Sequence, residues 1–119
     1  YSGPWEDGKR NGHGVFVYSD GRSYDGFYVR GIREGSGVFT WPYGAKYEGD
    51  YARDKRNGLG LHVYSDGRMY KGKYKDDRPH GHGTEYTKNG GILYEGIWQF
   101  GEFVGDDSAS VAGSVFSAS

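Results

Sequence analysis

Two histidines and two aspartates form the one cluster in the sequence that could ligate a metal ion. Asp76 and Asp77 precede His80 and His82 by a few residues, and imidazole and carboxylate groups are common metal ligands. On a β-strand the alternate spacing of the histidines would place both rings on one face. His82, however, stands between two glycines at a position whose occupant varies elsewhere in the chain. We therefore expect no metal site and no cofactor.

Residues and motifs typical of enzyme active sites are missing from the sequence. There is no cysteine, and the motifs Gly-x-Ser-x-Gly, His-Glu-x-x-His and Gly-x-x-x-x-Gly-Lys-Ser/Thr do not occur. The segment Gly12-His13-Gly14 is glycine-rich like a phosphate-binding loop, but such loops need a following helix N-terminus, and no helical periodicity follows. We therefore expect a protein that is not an enzyme.

Six basic residues recur in corresponding segments and could bind an anion. They are Lys9, Arg10, Arg33, Lys55, Arg56 and Arg78. If the segments stack in register, their charges form a stripe with a spacing of roughly 10 Å, suited to an anionic lipid headgroup or an acidic peptide. Acidic residues accompany them, so the stripe is interpreted either as solvated loop charge or as a surface that recognises a partner or a lipid headgroup. Because the formal net charge is −1, we expect no nucleic-acid partner.

Aromatic residues supply most of the chain's capacity to form a core. The 119 residues include twelve tyrosines, six phenylalanines and three tryptophans, each able to bury roughly 150–250 Å². Without cysteine there is no disulfide framework, and no apolar run approaches the about 18 residues of a membrane span. No signal-peptide leader is recognisable. We expect one soluble domain, intracellular and cytoplasmic, with association to a membrane or the cytoskeleton as an open alternative.

A repeat of 23 or 24 residues organises the chain. Each unit opens with a tyrosine, has a glycine two residues later and an aromatic residue four residues later; the opening residues are Tyr1, Tyr24, Tyr47, Tyr70 and Tyr94. We predict a repeat domain over residues 1–105, with units 1–23, 24–46, 47–69, 70–93 and a partial unit 94–107. Residues 108–119, rich in serine and alanine, are interpreted as a linker, a disordered end or a capping strand.

Alternation with period two predicts two strands in each unit. It is seen in Tyr24-Asp25-Gly26-Phe27-Tyr28 and in Val15-Phe16-Val17-Tyr18, and Ser19-Asp20-Gly21 supplies the positive φ of a turn. The predicted fold class is all-β: a single-layer antiparallel meander of stacked β-hairpins, about four and a half units long, that forms a rod or groove. We expect rings to lie on bare glycine backbone, with rings on one face, glycines on the other, and a curved sheet.

These runs resemble the MORN (membrane occupation and recognition nexus) repeat. The resemblance rests on Tyr24-Asp25-Gly26-Phe27-Tyr28, Tyr47-Glu48-Gly49-Asp50-Tyr51, Tyr94-Glu95-Gly96-Ile97-Trp98 and Gly8-Lys9-Arg10-Asn11-Gly12-His13-Gly14, and it covers residues 1 to about 105. It implies a single-layer antiparallel sheet of stacked hairpins that serves as a scaffold for protein partners. For some members it implies binding of phosphoinositides or membranes.

The later units depart from the family's pattern. Glu85 stands where earlier units have Phe16 and Phe39, His62 takes the same position in unit three, and one extra residue precedes Tyr94. We therefore expect a bulged strand or an enlarged turn in unit four. In unit five Asp107 replaces the second loop glycine, which predicts an incomplete fifth hairpin.

Two columns of rings compete for the interior of the sheet. We expect Tyr24, Tyr47, Tyr70 and Tyr94 to fill the core. Because a single-layer sheet leaves one face uncovered, the second column is interpreted either as core or as the wall of a partner-binding groove. The candidate partner-binding residues are Trp5, Tyr28, Trp41, Tyr51, Tyr64, Tyr74 and Trp98.

The favoured hypothesis is a non-catalytic interaction module that recognises a segment of a partner protein in this groove or at the open sheet edge. The alternative is a module that binds an anionic phospholipid such as a phosphoinositide through the six basic residues. A third hypothesis is a structural spacer within a larger protein. The open edge of the first strand is a route to edge pairing or to a homodimer, and the sequence leaves the oligomeric state open. Salt separates the first two hypotheses, because only headgroup binding weakens steeply with ionic strength.

Overall fold

The computed structural model describes residues 1–105, and every regular element in that part of the chain is a β-strand. The strands are β1 (Trp5–Glu6), β2 (Lys9–Arg10), β3 (Gly12–Val17), β4 (Ser23–Val29), β5 (Ile32–Thr40), β6 (Lys46–Ala52), β7 (Lys55–Val63), β8 (Met69–Lys75), β9 (Arg78–Tyr86), β10 (Ile92–Gln99) and β11 (Glu102–Gly105). Within these residues no helix has the length and apolar character needed to cross a membrane.

Nine strands form one antiparallel sheet whose spatial order follows the chain. Strands β3 to β11 each pair with their neighbours in sequence, and β3 and β11 lie at opposite ends of an unclosed sheet. The short strands β1 and β2 pair with each other, and a bridge between Ser2 and Val15 joins this first segment to β3. The predicted all-β meander of consecutive hairpins is confirmed.

Two kinds of turn alternate along the meander. Arg30 and Gly31, with φ of 51° and 86°, join β4 to β5, and Asp76 and Asp77, with φ of 50° and 73°, join β8 to β9. Two consecutive positive φ values are typical of the type I′ turn, whose twist matches that of paired antiparallel strands. Wider turns containing a positive-φ glycine, such as Gly21, join successive hairpins. The sheet therefore has a tight-turn edge and a wide-turn edge.

Glycines pair across the strands directly beneath tyrosine rings. Gly26 faces Gly37 on the neighbouring strand, and a Cβ atom added to Gly37 would lie 2.5 Å from Tyr24 Oη. The expectation that rings rest on bare backbone is confirmed. The expectation that rings and glycines occupy opposite faces was wrong, because residues two apart on a strand point to the same side. We call this side the ring face.

The extra residue of unit four is absorbed where β10 begins. The pairing of β9 with β10 shifts between Ile92 and Tyr94, so Leu93 has no partner in the register. Tyr94 then resumes the pairing with Glu85 that Tyr70 makes from the other side. The irregularity predicted for unit four is thus present as a bulge. The predictions for Asp107 and for residues 108–119 lie outside the described residues.

The core is one layer of aromatic side chains on the ring face. Tyr24, Tyr47 and Tyr70 are at most 1% exposed, as predicted. Tyr94, expected in the same column, is instead 48% exposed. Its ring contacts only those of Trp98 and Phe103 within the described residues, so nothing there covers its outer side.

Candidate functional site

A continuous row of rings, which we call the aromatic ladder, runs across the ring face. In spatial order its members are Tyr1, Tyr28, Tyr24, Tyr51, Tyr47, Tyr74, Tyr70, Trp98 and Tyr94. Neighbouring ring centroids are 5.1–6.4 Å apart and the ring planes meet at 77–89°. These edge-to-face contacts place the positive edge of one ring against the negative face of the next, so the ladder holds each ring in one orientation.

Hydrogen bonds to the backbone also fix the opening tyrosines. The hydroxyl of Tyr24 donates to the Phe27 carbonyl at 3.0 Å, and those of Tyr47 and Tyr70 make the corresponding bond at 2.8 Å. Burial raises the pKa of Tyr70 to about 12, so this phenol stays protonated at physiological pH. The hydroxyls of Tyr24, Tyr47 and Tyr70 therefore serve as structural donors.

Four of the seven predicted partner-binding aromatics lie inside the ladder. These four, only 3–6% exposed, are Tyr28, Tyr51, Tyr74 and Trp98. Each follows its opening tyrosine by four residues and so shares its face. Each is also covered by the opening tyrosine of the preceding unit, as Tyr51 is by Tyr24 at a centroid distance of 5.3 Å. Of the two interpretations left open for this column, these four follow the core interpretation and not that of a groove wall, because they form the floor on which other side chains lie.

A second line of rings, the outer row, flanks the ladder toward the wide-turn edge. It consists of Phe16, Tyr18, Phe39, Trp41, His62 and Tyr64, with neighbouring centroids 4.5–5.9 Å apart. Trp41 and Tyr64 are half-buried here and keep part of each ring at the surface. Trp5 is 59% exposed but lies apart from this row, beside the first tight turn. The structure thus brings two of the three accessible candidates together.

Charged turn residues cover two rings of the outer row. The guanidinium of Arg22 lies 4.6 Å from the Tyr18 centroid, and Arg22 Nε pairs with Asp20 at 2.8 Å. Arg68 makes the same arrangement over Tyr64, at 5.0 Å, in a turn of identical sequence. A cation held over an aromatic face in this way occupies the surface that an apolar partner would otherwise contact.

Unit two lacks this charged cover. Tyr43 and Ala45 stand at the positions that Asp20 and Arg22 occupy in unit one, so residues 41–45 contain no charged side chain. Tyr43 is 65% exposed and Ala45 is buried. We call Trp41, Pro42 and Tyr43 the Trp41 patch. Sequence reasoning missed Tyr43, although alignment of the turns of successive units would have found it.

Two polar residues occupy ring positions of the outer row. His62 is 9% exposed between Trp41 and Tyr64, and burial together with the nearby Arg56 lowers its pKa to about 4. Glu85, also 9% exposed, accepts a hydrogen bond from Arg68 at 3.0 Å. Because both side chains are buried despite their polarity, the interior of the sheet becomes progressively more polar from unit two to unit four.

Two of the six predicted anion-binding residues are neutralised within the protein. Arg33 and Arg56 turn inward over ladder rings, at centroid distances of 5.0 and 5.2 Å. Arg33 Nε pairs with Asp54 at 2.7 Å, and Arg56 Nε pairs with Asp77 at 3.2 Å. Burial disfavours the charged form of Asp54, but the hydrogen bonds from Arg33 outweigh it and lower the pKa of this carboxyl. Because each of these two guanidiniums is already paired with a carboxylate, it attracts an anionic ligand only weakly.

The other four basic residues differ from one another. Lys9, Lys55 and Arg78 are exposed. Arg10 is half-buried over Tyr28 at 4.9 Å and forms no ion pair with any residue of the described chain. The predicted stripe is therefore uneven, with one guanidinium held in place without a carboxylate.

The histidines and aspartates near the fourth tight turn have separate surroundings. His80 Nδ1 accepts a hydrogen bond from the Phe100 N–H at 3.3 Å and its ring contacts that of Phe100, whereas His82 is exposed. Across residues 1–105, no three histidine, aspartate or glutamate side chains are grouped closely enough to hold a metal ion. The arrangement supplies surface for contact and no assembled set of metal ligands in this part of the chain.

Comparison with known proteins agrees with the repeat seen in the sheet. The family model of the MORN repeat matches the chain four times, over residues 1–21, 24–45, 47–67 and 70–92. No curated protein matches the chain significantly. The four matches coincide with the four hairpin units whose rings form the ladder.

Proposed function

Because the chain belongs to the MORN repeat family, whose repeats cover most of residues 1–92, we propose that it is a non-catalytic scaffold that recognises a segment of a partner protein. Membership of this family supports a repeat-protein binding module in general. The finer proposal concerns the surface: the partner contacts the Trp41 patch and the adjoining rings of the outer row.

The observation that carries this proposal is the exchange of a charged turn for an apolar one in unit two. Where units one and three cover a ring with an Asp–Arg pair, unit two presents Tyr43 and a half-exposed Trp41. Tryptophan and tyrosine are the residues most enriched at the energetic centres of protein interfaces. An apolar partner side chain placed here loses water without displacing a cation from a ring.

The buried aromatic core, to which Phe39 of the outer row belongs, supports this role by holding the patch rigid. Trp41 packs on Phe39 at a centroid distance of 4.6 Å, and Phe39 is 5% exposed. A ring that is already fixed loses little conformational freedom when a partner binds. We therefore assign Tyr51 and the other buried candidates to support of the surface rather than to direct contact.

The test is capture of proteins from cell extract at about 0.5 M salt, where electrostatic attraction between exposed groups is largely screened. Wild type is compared with Trp41→Ala, Tyr43→Ser and the control Phe100→Ala, whose ring is as exposed as that of Tyr43. The proposal expects a protein that wild type and the control retain and the two patch variants lose. Urea unfolding of each variant shows whether a loss reflects contact or instability.

Retention of the same proteins by all four chains would contradict the proposal. A second arm uses vesicles with and without phosphoinositide at low and high salt. Salt-sensitive sedimentation that disappears when Lys9, Arg10, Lys55 and Arg56 are neutralised would replace protein recognition with the phospholipid alternative.

A further inference from the structure

The repeat allows one arginine to be compared with its equivalents in the following units. Arg10, Arg33 and Arg56 are spaced by 23 residues and follow successive tight turns. For Arg33 and Arg56, an aspartate of the next tight turn forms an ion pair with the guanidinium. Asp54 Oδ1 accepts from Arg33 N at 3.1 Å and Nε at 2.7 Å, and its carbonyl accepts from Nη2 at 2.7 Å. Asp77 does the same for Arg56 at 2.9, 3.2 and 2.6 Å.

At Arg10 the equivalent of these aspartates is Gly31. The backbone is arranged alike: Gly31 N donates to the Arg10 carbonyl at 2.8 Å, as Asp54 N donates to the Arg33 carbonyl at 2.9 Å. The φ of Gly31 is 86° and that of Asp54 is 73°. Only the side chain is missing, so the first unit keeps the frame of the site without its carboxylate.

The volume that the carboxylate would fill is open. A Cβ atom added to Gly31 would meet only Lys9 Cβ, at 3.9 Å. Around this point is a depression of about 290 Å³, whose lining includes Trp5, Lys9, Arg10 and Phe16. A ligand group that enters it therefore meets two cations and the exposed face of an indole.

Arg10 is held in place for such a group. Its guanidinium lies 4.7 Å from the Phe16 centroid and 4.9 Å from that of Tyr28. The one hydrogen bond of its side chain within the described residues goes to the Gly31 carbonyl, at 3.4 Å. A half-buried guanidinium that has lost part of its hydration without gaining a carboxylate favours binding of an anion.

We propose that this position, which we call the Arg10 site, binds the carboxylate of an aspartate or glutamate side chain carried by a partner protein. We infer a carboxylate because a single aspartate side chain, Asp54 or Asp77, fills the same space in the two equivalent units. Trp5 offers an apolar surface for the methylene groups of the incoming residue. The inference rests on the proposed function and adds that the bound segment is acidic near the first tight turn.

NMR of the intact chain tests this proposal through the Nε–H resonances of Arg10, Arg33 and Arg56. The probes are the peptides acetyl-Gly-Asp-Gly-amide and acetyl-Gly-Asn-Gly-amide, inorganic phosphate, and sodium chloride at matched ionic strength. We expect the aspartyl peptide to shift the Arg10 resonance in a saturable manner, with no comparable change at Arg33 or Arg56. The asparaginyl peptide and chloride should leave it unchanged.

The variant Gly31→Asp supplies the missing carboxylate from within. It should move the Arg10 resonance toward those of Arg33 and Arg56 and abolish the response to the aspartyl peptide. Arg10→Lys, which removes the planar donor pair, should also abolish peptide binding, followed in this variant by the indole N–H resonance of Trp5 in the lining of the depression, while Arg22→Lys in a wide turn should not.

An Arg10 resonance that ignores the aspartyl peptide, or responds equally after Gly31→Asp, would overturn the proposal. Tighter binding of phosphate than of the aspartyl peptide would reassign the site to a phosphate-bearing ligand and likewise overturn it. These readouts do not involve the Trp41 patch, so failure here with patch-dependent capture intact would leave the proposed function standing.

Discussion

No second layer of structure covers the ring face in the described residues. The packing of the sheet therefore depends on contacts between individual tyrosine rings. Tyr47 is fully buried and contacts Tyr51 and Tyr74 at centroid distances of 5.4 and 5.2 Å. We expect Tyr47→Ala to lower the free energy of unfolding by about 3–5 kcal/mol, since it removes a buried aromatic ring and leaves a cavity. Urea denaturation followed by tryptophan fluorescence measures the change.

Tyr43→Ala is the matched control for that substitution. Its ring is 65% exposed, so its removal should change the free energy of unfolding by no more than about 0.5 kcal/mol. Equal losses in the two variants would show that the ladder does not carry the stability assigned to it.

The glycines beneath the buried opening tyrosines leave no space for a side chain. A Cβ atom added to Gly60 would lie 2.5 Å from Tyr47 Oη and 2.7 Å from its Cζ, so the ring must move. We expect Gly60→Ala to destabilise the fold by about 1–3 kcal/mol through overpacking. Gly91→Ala, whose Cβ would meet only Thr87 Oγ1 at 3.4 Å, should have a much smaller effect in the same urea titration.

We expect His62 to make the stability of the sheet depend on pH. Burial, reinforced by Arg56, lowers its pKa from 6.5 to about 4, so between these values the unfolded chain binds a proton that the folded chain does not. The free energy of unfolding should therefore fall as pH decreases from about 6.5 to about 4, by about 3 kcal/mol in all.

The variant His62→Phe isolates this contribution, because phenylalanine occupies the equivalent position in units one and two. We expect its free energy of unfolding to vary less with pH across that range than that of wild type. A pH profile unchanged by His62→Phe would mean that other groups carry the acid sensitivity.

At the scale of the strands, we expect the stability of the fold to depend more on the pairing register than on the number of residues in a strand. Leu93 lies in the bulge at the start of β10, and regular pairing resumes at Tyr94. We expect deletion of Leu93 to leave the fold intact and to shift the midpoint of urea denaturation little, because the pairing from Tyr94 onward does not depend on it.

Deletion of Lys71, in the middle of β8, is the contrasting variant. A one-residue slip there would turn Tyr74 from the ring face to the opposite face, since side chains alternate along a strand. We expect this chain to lose cooperative unfolding, measured by circular dichroism. Tolerance of both deletions would contradict the importance assigned to register.

At the scale of the whole molecule, each strand is supported only by its neighbours in the chain. The central strands β5 to β8 have a partner on both sides and ladder rings above them, whereas β11 pairs only with β10. Stability should therefore decline from the middle of the sheet toward its ends, as in other repeat proteins.

Hydrogen exchange followed by mass spectrometry tests this gradient. We expect amides of β6 and β7 to exchange slowest and those of β1, β2 and β11 to exchange fastest under native conditions. Uniform protection from β3 to β11 would indicate one cooperative unit and contradict the nearest-neighbour description.

The sequence by itself determined the repeat, the strand pairs and the tight association of tyrosine with glycine. A spacing of 23 residues, period-two alternation and turn residues with positive φ are all local properties, so they can be read without coordinates. They also located the irregularity of unit four, because an inserted residue must be absorbed near the position where it occurs.

The tertiary structure alone decided which rings remain accessible. Tyr51 and Trp41 look alike in sequence, but Tyr51 is covered by Tyr24 from the preceding unit and Trp41 is not covered by an arginine. A contact between units also distinguishes Arg10 from Arg33, because the carboxylate that pairs with Arg33 belongs to a turn 21 residues away. Burial and charge pairing in this sheet depend on contacts between units, which the pattern within one unit does not contain.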